Sequence, residues 1–135
     1  MLLSALVGLG WPGGWEIPAY AVGALLIALG TGLLVAGGAA LGPSLTPFPA
    51  PRGTEGVTSG GVYARARHPM YGGGLLIALG WSAIFASVAG LVLTVLLALF
   101  LELKSRREEH WLDAHYAGYA EYRRAVRRRF IPWIY

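Results

Sequence analysis

The chain has 135 residues, of which 56% are hydrophobic and only 13% are charged, and it contains no cysteine. This length fits a single domain, and the lack of cysteine excludes disulfides, thiolate nucleophiles and cysteine metal sites. The apolar composition is typical of a membrane protein. The formal net charge is +4, and its 11 basic residues are unevenly distributed, with three in 52–67 and eight in 104–129.

The N-terminal half is predicted to contain one membrane crossing. Residues 1–17 are predicted to be an interfacial or re-entrant segment, because their apolar part is about half as long as a crossing requires. Residues 18–41 are uncharged and long enough to span, so they predict the first transmembrane helix. Small side chains recur along it at every fourth position: Ala24, Ala28, Gly32, Ala36 and Ala40. Such a stripe favours close packing against another helix.

Two further crossings are predicted after a long loop. Residues 42–68 are rich in proline and glycine and predict a cytosolic loop, long enough to fold over a site. Residues 69–86 predict the second transmembrane helix, which begins at Pro69 and is expected to pack on the first. Its small residues are Gly74, Ala78, Ser82 and Ala86.

The C-terminal part combines an apolar and a charged segment. Residues 88–104 predict the third transmembrane helix, and the helix is expected to continue because no glycine or proline precedes Gly118. Residues 105–135 predict a cytosolic helix and a basic tail. The tail arginines and nearby aromatic residues favour contact with anionic lipid over nucleic acid, which is not expected as a partner.

The predicted fold class is therefore an all-α integral membrane domain with about three transmembrane helices. An odd number of crossings puts the 42–68 loop and the tail on one side of the bilayer. Both are rich in basic residues, whereas the N-terminal segment has none. The positive-inside rule then predicts a multi-pass protein with its N-terminus outside and its C-terminus in the cytoplasm.

The start of the second predicted helix is the richest stretch in chemistry. His68 and Tyr71 are three residues apart and share one face of the first turn. Pro69 suits that turn, and the free N–H groups of a helix start favour an anionic ligand. Gly72–Gly74 let a ligand approach the backbone. Glu102 and Glu109 lie seven apart, on one face of the third helix.

These motifs resemble those of the isoprenylcysteine carboxyl methyltransferase and phospholipid methyltransferase superfamily. The similarity covers about residues 56 to 132. Its motifs are Ser59-Gly60-Gly61-Val62-Tyr63, Arg67-His68-Pro69-Met70-Tyr71 with a following glycine, Glu108-Glu109, Tyr119-x-x-Tyr122 and Arg129-Phe130-Ile131-Pro132.

The resemblance implies a membrane enzyme that uses S-adenosylmethionine, releases S-adenosylhomocysteine and methylates a lipophilic acceptor that arrives through the bilayer. It implies a cofactor site of Tyr63, Arg67, His68, Pro69, Tyr71, Gly72, Gly74, Glu108 and Glu109. The candidate catalytic residues are His68, Arg106 and Glu108. His68 or a glutamate would deprotonate an amine or thiol acceptor, whereas a carboxylate acceptor needs no base.

Several alternatives stay open at this point. The leading acceptor is a prenylated cysteine carboxylate, and a phospholipid amine or a small thiol are the alternatives. A non-enzymatic membrane scaffold is a rival of another class. A metal site from His68, Glu108, Glu109 and His110 is not expected, because the histidines lack zinc-helix spacing. Family members commonly have one more spanning helix, so a homo-oligomer that completes the fold is a further hypothesis.

Overall fold

A computed structural model describes residues 10–42 and 59–135 of the chain. The described elements are α1 (Glu16–Leu41), a short 3-10 helix (Gly61–Ala64), α2 (Pro69–Ile84), α3 (Val88–His115) and α4 (Tyr119–Ala125). These ranges contain no strand, and the predicted all-α class is confirmed for them. Residues 1–9 of the predicted interfacial segment and residues 43–58 of the predicted loop lie outside the described residues.

Two of the helices have the length and composition of membrane spans. α1 and α3 each contain an 18-residue apolar window that is only 11% buried, so their apolar side chains face outward. A helix in the core of a soluble protein would instead bury that surface. α2 has 16 residues, about 24 Å of helix, which is short of the roughly 30 Å hydrocarbon core. The crossing by α2, and with it the total of three crossings, therefore stays a prediction.

The helix boundaries follow local backbone chemistry. α2 begins at Pro69, as predicted, with proline in its first turn. It ends at Ile84 rather than at residue 86, and Ala86 has a φ of 45°, which a right-handed helix cannot include. The Ser87 side chain then accepts a hydrogen bond from the Gly90 amide at 3.0 Å and caps α3. α3 runs without a break through its charged end, so the expected continuation is confirmed.

α1 and α2 pack as antiparallel neighbours through glycine residues. A Cβ atom added to Gly30 would lie 2.5 Å from the Gly73 carbonyl oxygen, and one added to Gly23 would lie 2.7 Å from that of Gly80. Such distances leave no room for a side chain. The predicted packing of the first two helices is therefore confirmed, with backbone against backbone.

The residues at this interface are not those of the predicted stripe in the first helix. Gly32 has open space around it, and Ala24, Ala28 and Ala36 are exposed. The buried glycines recur at seven-residue spacing, which keeps them on nearly one face of the helix. A four-residue repeat instead drifts by about 40° per step around an α-helix. The stripe prediction was wrong because the stripe lies on the opposite side of α1 from the buried glycines, with Gly32 about 200° around the helix from Gly30.

We expect Gly30→Ala to destabilise the fold, since its new methyl group would push α2 away from α1. Overpacking of this kind costs about 1–3 kcal/mol. Gly32→Ala is the matched control, and it should be neutral or raise stability by up to about 1 kcal/mol through helix propensity. Thermal unfolding of both variants in detergent measures the difference, and equal melting temperatures would contradict the described interface.

Candidate active site

The start of α2 and the charged end of α3 meet in one cluster of side chains. The Tyr71 hydroxyl donates to Glu108 Oε1 at 2.7 Å, and His68 Nε2 lies 3.1 Å from Glu109 Oε1. The His68 and Tyr71 rings stack with centroids 5.3 Å apart and planes at 5°. Their three-residue spacing explains this stacking, because i and i+3 positions share a helix face. Two stretches distant in sequence thus form one site.

Glu109 is the most strongly held acid of the cluster. Its side chain is 4% exposed, and Arg67 Nε lies 2.8 Å from Oε1. Arg129 Nη2 lies 3.3 Å from Glu109 Oε2. Burying a carboxylate is costly unless it is paired, and two guanidinium groups together with His68 provide that compensation. Glu109 therefore ties the entry to α2, the end of α3 and the C-terminal tail together.

Glu108 has partners of a different kind. Besides the Tyr71 hydroxyl, its neighbours are His68 Nδ1 at 3.6 Å from Oε2 and Lys104 Nζ at 3.8 Å from Oε1. Lys104 Nζ also lies 5.0 Å from the centre of the Tyr71 ring. These two ionic contacts are longer than hydrogen bonds. Glu108 is consequently held less firmly than Glu109.

The C-terminal tail forms one wall of the cluster. The backbone amides of Arg67 and His68 donate to the carbonyl oxygens of Arg128 and Arg129, at 3.0 and 2.6 Å. The Phe130 ring packs edge-on against both His68 and Tyr71, with centroids 6.3 Å away in each case. The tail thus fixes the position of His68 and Tyr71.

Three tyrosines, Tyr63, Tyr119 and Tyr122, lie beside this cluster. The Tyr122 hydroxyl donates to the Tyr63 carbonyl oxygen at 2.7 Å and joins α4 to the 3-10 helix. Burial, with the negative charge of Glu108, raises the pKa of Tyr63 to about 12. Burial also raises the pKa of Tyr119 and Tyr122. All three remain neutral phenols near pH 7, so they act as packing and hydrogen-bonding groups rather than bases.

The structure brings together most of the predicted site residues: Tyr63, Arg67, His68, Pro69, Tyr71, Glu108 and Glu109. It does not bring Arg106 to them. The Arg106 side chain is 67% exposed and pairs with Glu102 at 2.8 Å, so it lies outside the cluster. His110 is exposed, and within 10–42 and 59–135 no group of three acidic, histidine or cysteine side chains is arranged to hold a metal ion.

The glycines after Tyr71 differ in their surroundings. A Cβ atom on Gly72 would collide with the Phe130 carbonyl oxygen, and Gly73 faces α1, whereas Gly74 has nothing within 4 Å. Packing therefore explains the absence of a side chain at Gly72 and Gly73. Contact of Gly72 or Gly74 with a cofactor stays a prediction.

The helix start itself offers fewer free donors than the sequence suggested. Pro69 has no N–H, and the amides of Tyr71 and Gly72 donate to the His68 carbonyl oxygen at 3.1 and 3.3 Å. Arg67 is already bound to Glu109. Arg65 is exposed and lies over the Trp133 ring at 5.3 Å. Of the two arginines that precede the helix, Arg65 is therefore the one left for an anionic group.

Sequence reasoning missed Lys104, Arg129 and Phe130 as members of the site. The basic tail that is predicted to contact lipid includes Arg129, but in the structure Arg129 is ion-paired with Glu102 and Glu109. Arg123 is likewise paired with Asp113, at 2.7 Å. The available signal was the closing Arg129-Phe130-Ile131-Pro132 motif, which the resemblance included without assigning it a role.

We expect Gly72→Ala to loosen the tail, because the added methyl group would displace the Phe130 backbone. A loss of about 1–3 kcal/mol should make tryptic cleavage after Arg127 and Arg128 roughly fivefold faster or more. Gly74→Ala adds the same methyl group in open space and should cleave like the unchanged protein. Equal cleavage rates in the two variants would rule out the described contact.

Comparison with known proteins identifies the family. A family model described as phospholipid methyltransferase matches residues 18–118, which is more than half of the chain. Neither the curated proteins nor the solved structures include a match to this chain. The matched range includes His68, Tyr71 and the Glu108-Glu109 pair, and it ends before the tail. The chain therefore belongs to the phospholipid methyltransferase family of membrane methyltransferases, within the superfamily that also contains the isoprenylcysteine carboxyl methyltransferases.

Proposed function

We propose that the protein is an integral membrane enzyme that transfers the methyl group of S-adenosylmethionine to a lipophilic acceptor. The observation that carries this proposal is the direct contact of His68 and Tyr71 with Glu109 and Glu108. The contact lies where α3 changes from an apolar to a charged helix. A ligand bound there would be within reach of both the cytosol and the acyl region of the bilayer.

The chemistry of these residues fits the cofactor. Glu108 offers a carboxylate to an ammonium or sulfonium cation, and a carboxylate also accepts hydrogen bonds from ribose hydroxyls. The partly exposed Tyr71 and His68 rings offer aromatic surface to an adenine. When bound, the cofactor supplies a methyl group activated by a positively charged sulfur.

We assign the two acids different roles because their partners differ. Glu109 is ion-paired with Arg67 and Arg129 and would hold His68 in position. Glu108 has weaker partners and would exchange one of them for the ligand. Methyl transfer requires alignment of donor and acceptor and exclusion of water. The buried ion pairs of Glu109 with Arg67 and Arg129 would support both. Arg106 pairs with Glu102 at the surface and is left out of this catalytic group.

His68 is the proposed base where the acceptor needs one. Its two ring nitrogens face different carboxylates, Nε2 toward Glu109 and Nδ1 toward Glu108. Nε2 would keep its contact with Glu109, and Nδ1, which is beyond hydrogen-bond range of Glu108, would take the proton from an amine or a thiol. The two acids would stabilise the imidazolium that results. A carboxylate acceptor carries no such proton, and His68 would then serve only to orient the ligand.

We further propose three crossings with the cluster on the cytoplasmic side and the N-terminus outside. The glycine contacts hold α2 alongside α1, which supports its crossing with α1 despite its length. Trp11 Nε1 donates to the Ala83 carbonyl oxygen at 2.7 Å, so Trp11 lies at the end of α2 opposite to the cluster. The basic residues of the tail lie at the cluster end, in agreement with the positive-inside rule.

The lipophilic nature of the acceptor is supported by the surface next to the cluster. Leu99, Phe100 and Leu103 are exposed apolar residues on the last turns of α3 before its charged end. Such residues would face lipid, so the cluster, which follows them directly along α3, would lie at the boundary of the bilayer, where an acceptor with a prenyl or acyl chain can reach it. The resemblance of the motifs favours an isoprenylcysteine carboxylate, whereas the matched family model favours a phospholipid amine.

The cofactor proposal predicts that purified protein in detergent binds S-adenosylhomocysteine in isothermal titration calorimetry. Glu108→Gln should weaken binding about tenfold or more, because a hydrogen bond to a charged group contributes about 1.5–3 kcal/mol. Glu121→Gln removes an exposed acid of α4 and should bind like the unchanged protein. A folded protein that gives no heat of binding would contradict the proposal and favour the non-enzymatic scaffold.

The acceptor is identified by incubation with S-adenosylmethionine labelled on its methyl group. Phosphatidylethanolamine and N-acetyl-S-farnesylcysteine are the two probes. A carboxyl methyl ester releases labelled methanol in base, whereas an N-methyl group does not. Base-stable label in lipid would indicate the phospholipid amine, and base-labile label would indicate the carboxylate. Labelling of neither probe would contradict a lipophilic acceptor of either kind.

A further inference from the structure

Lys104 is a cation at the boundary between the cluster and the apolar surface of α3. Its neighbour Leu103 is 70% exposed, and Phe100, one turn earlier, is 59% exposed. Its amine is nevertheless directed to the cluster, over the Tyr71 ring and toward Glu108. The proposed function assigns no role to this residue.

The contacts of Lys104 within the cluster leave its amine available. Nζ lies 3.8 Å from Glu108 Oε1, beyond hydrogen-bond range, and the Tyr71 hydroxyl already donates to that oxygen at 2.7 Å. An ammonium has three N–H donors, and the Lys104 side chain is 29% exposed. The amine is therefore an accessible cation, attracted to the cluster without being saturated by it.

The structure also leaves open space on α2, one helical turn from the Tyr71 ring that the Lys104 amine overlies. Gly74 follows Tyr71 by three residues and hence lies on the same helix face, one turn deeper into the apolar part. A side chain added at Gly74 would meet nothing within 4 Å. An acyl or prenyl chain that passes Gly74 would bring its polar end to Tyr71 and Lys104.

We infer that Lys104 binds the anionic group of the methyl acceptor and so determines which acceptors are used. This inference rests on the proposed function. The anionic group is either the phosphate of a phospholipid or the carboxylate of a prenylated cysteine, since both pair with an ammonium. Glu108 and Glu109 would repel either anion, and Lys104 offsets that repulsion on the acceptor side.

The two sources differ in what Lys104 does to the reacting atom. In a phospholipid the paired phosphate is separate from the amine nucleophile, so Lys104 affects binding and leaves the amine reactive. In a prenylated cysteine the paired carboxylate is itself the nucleophile, and pairing both binds it and lowers its reactivity. Loss of the charge should therefore raise only KM with the first acceptor and alter both KM and kcat with the second.

The test compares Lys104→Met, which keeps chain length without charge, with Lys104→Arg, which keeps the charge. Initial rates are measured with phosphatidylethanolamine and with N-acetyl-S-farnesylcysteine, and S-adenosylhomocysteine affinity is measured by calorimetry. We expect Lys104→Met to raise the KM for the accepted probe about tenfold or more without weakening S-adenosylhomocysteine binding. Lys104→Arg should recover most of the loss.

Arg107→Met is the matched control, since it removes an exposed charge from the same helix. It should leave the acceptor KM and the S-adenosylhomocysteine affinity unchanged. An unaltered acceptor KM in Lys104→Met would overturn the inference while the proposed function stands. Equal losses of acceptor and S-adenosylhomocysteine affinity would also overturn it, because Lys104 would then only support Glu108. Failure of the unchanged protein to bind S-adenosylhomocysteine would overturn the proposed function and this inference together.

Discussion

The buried carboxylate of Glu109 is the interaction on which the arrangement of the site depends. It is shared by Arg67 from the segment before α2, by His68 at the helix start and by Arg129 from the tail. A carboxylate removed from water must be paired, so these segments are constrained to meet at the end of α3. Glu108, one residue earlier, is thereby brought to Tyr71 with a weaker set of partners. The same constraint that assembles the fold leaves one acid available to a ligand.

The glycine contacts between α1 and α2 set the position of the other half of the site. Because Gly23 and Gly30 allow backbone contact with Gly80 and Gly73, α2 is held at a fixed height along α1. Apolar side chains alone would not define this height, since lipid competes equally well for them. The position of His68 and Tyr71 along α1 thus depends on glycines, which have no reactive side chain.

Sequence reasoning succeeded where a local rule was sufficient. Pro69 predicted the start of α2, and the three-residue spacing of His68 and Tyr71 predicted their shared face. The motifs identified the superfamily, although no pattern in the chain joined Glu109 to Arg129. That pairing depends on how the tail returns to α2, a long-range contact without a periodic signal. The predicted stripe of α1 failed because small residues occur on more than one face of that helix, and the face that packs on α2 contains Gly30 rather than Gly32.

The central claim is that Glu109 directly couples the α2 entry to the end of α3. A double-mutant cycle with Arg67→Met and Glu109→Gln, followed by thermal unfolding in detergent, tests it most directly. Since the two side chains are buried and 2.8 Å apart, we expect their effects to be non-additive, with a coupling of about 1 kcal/mol or more. Strictly additive losses would show that the two groups do not interact and would contradict this account of the site.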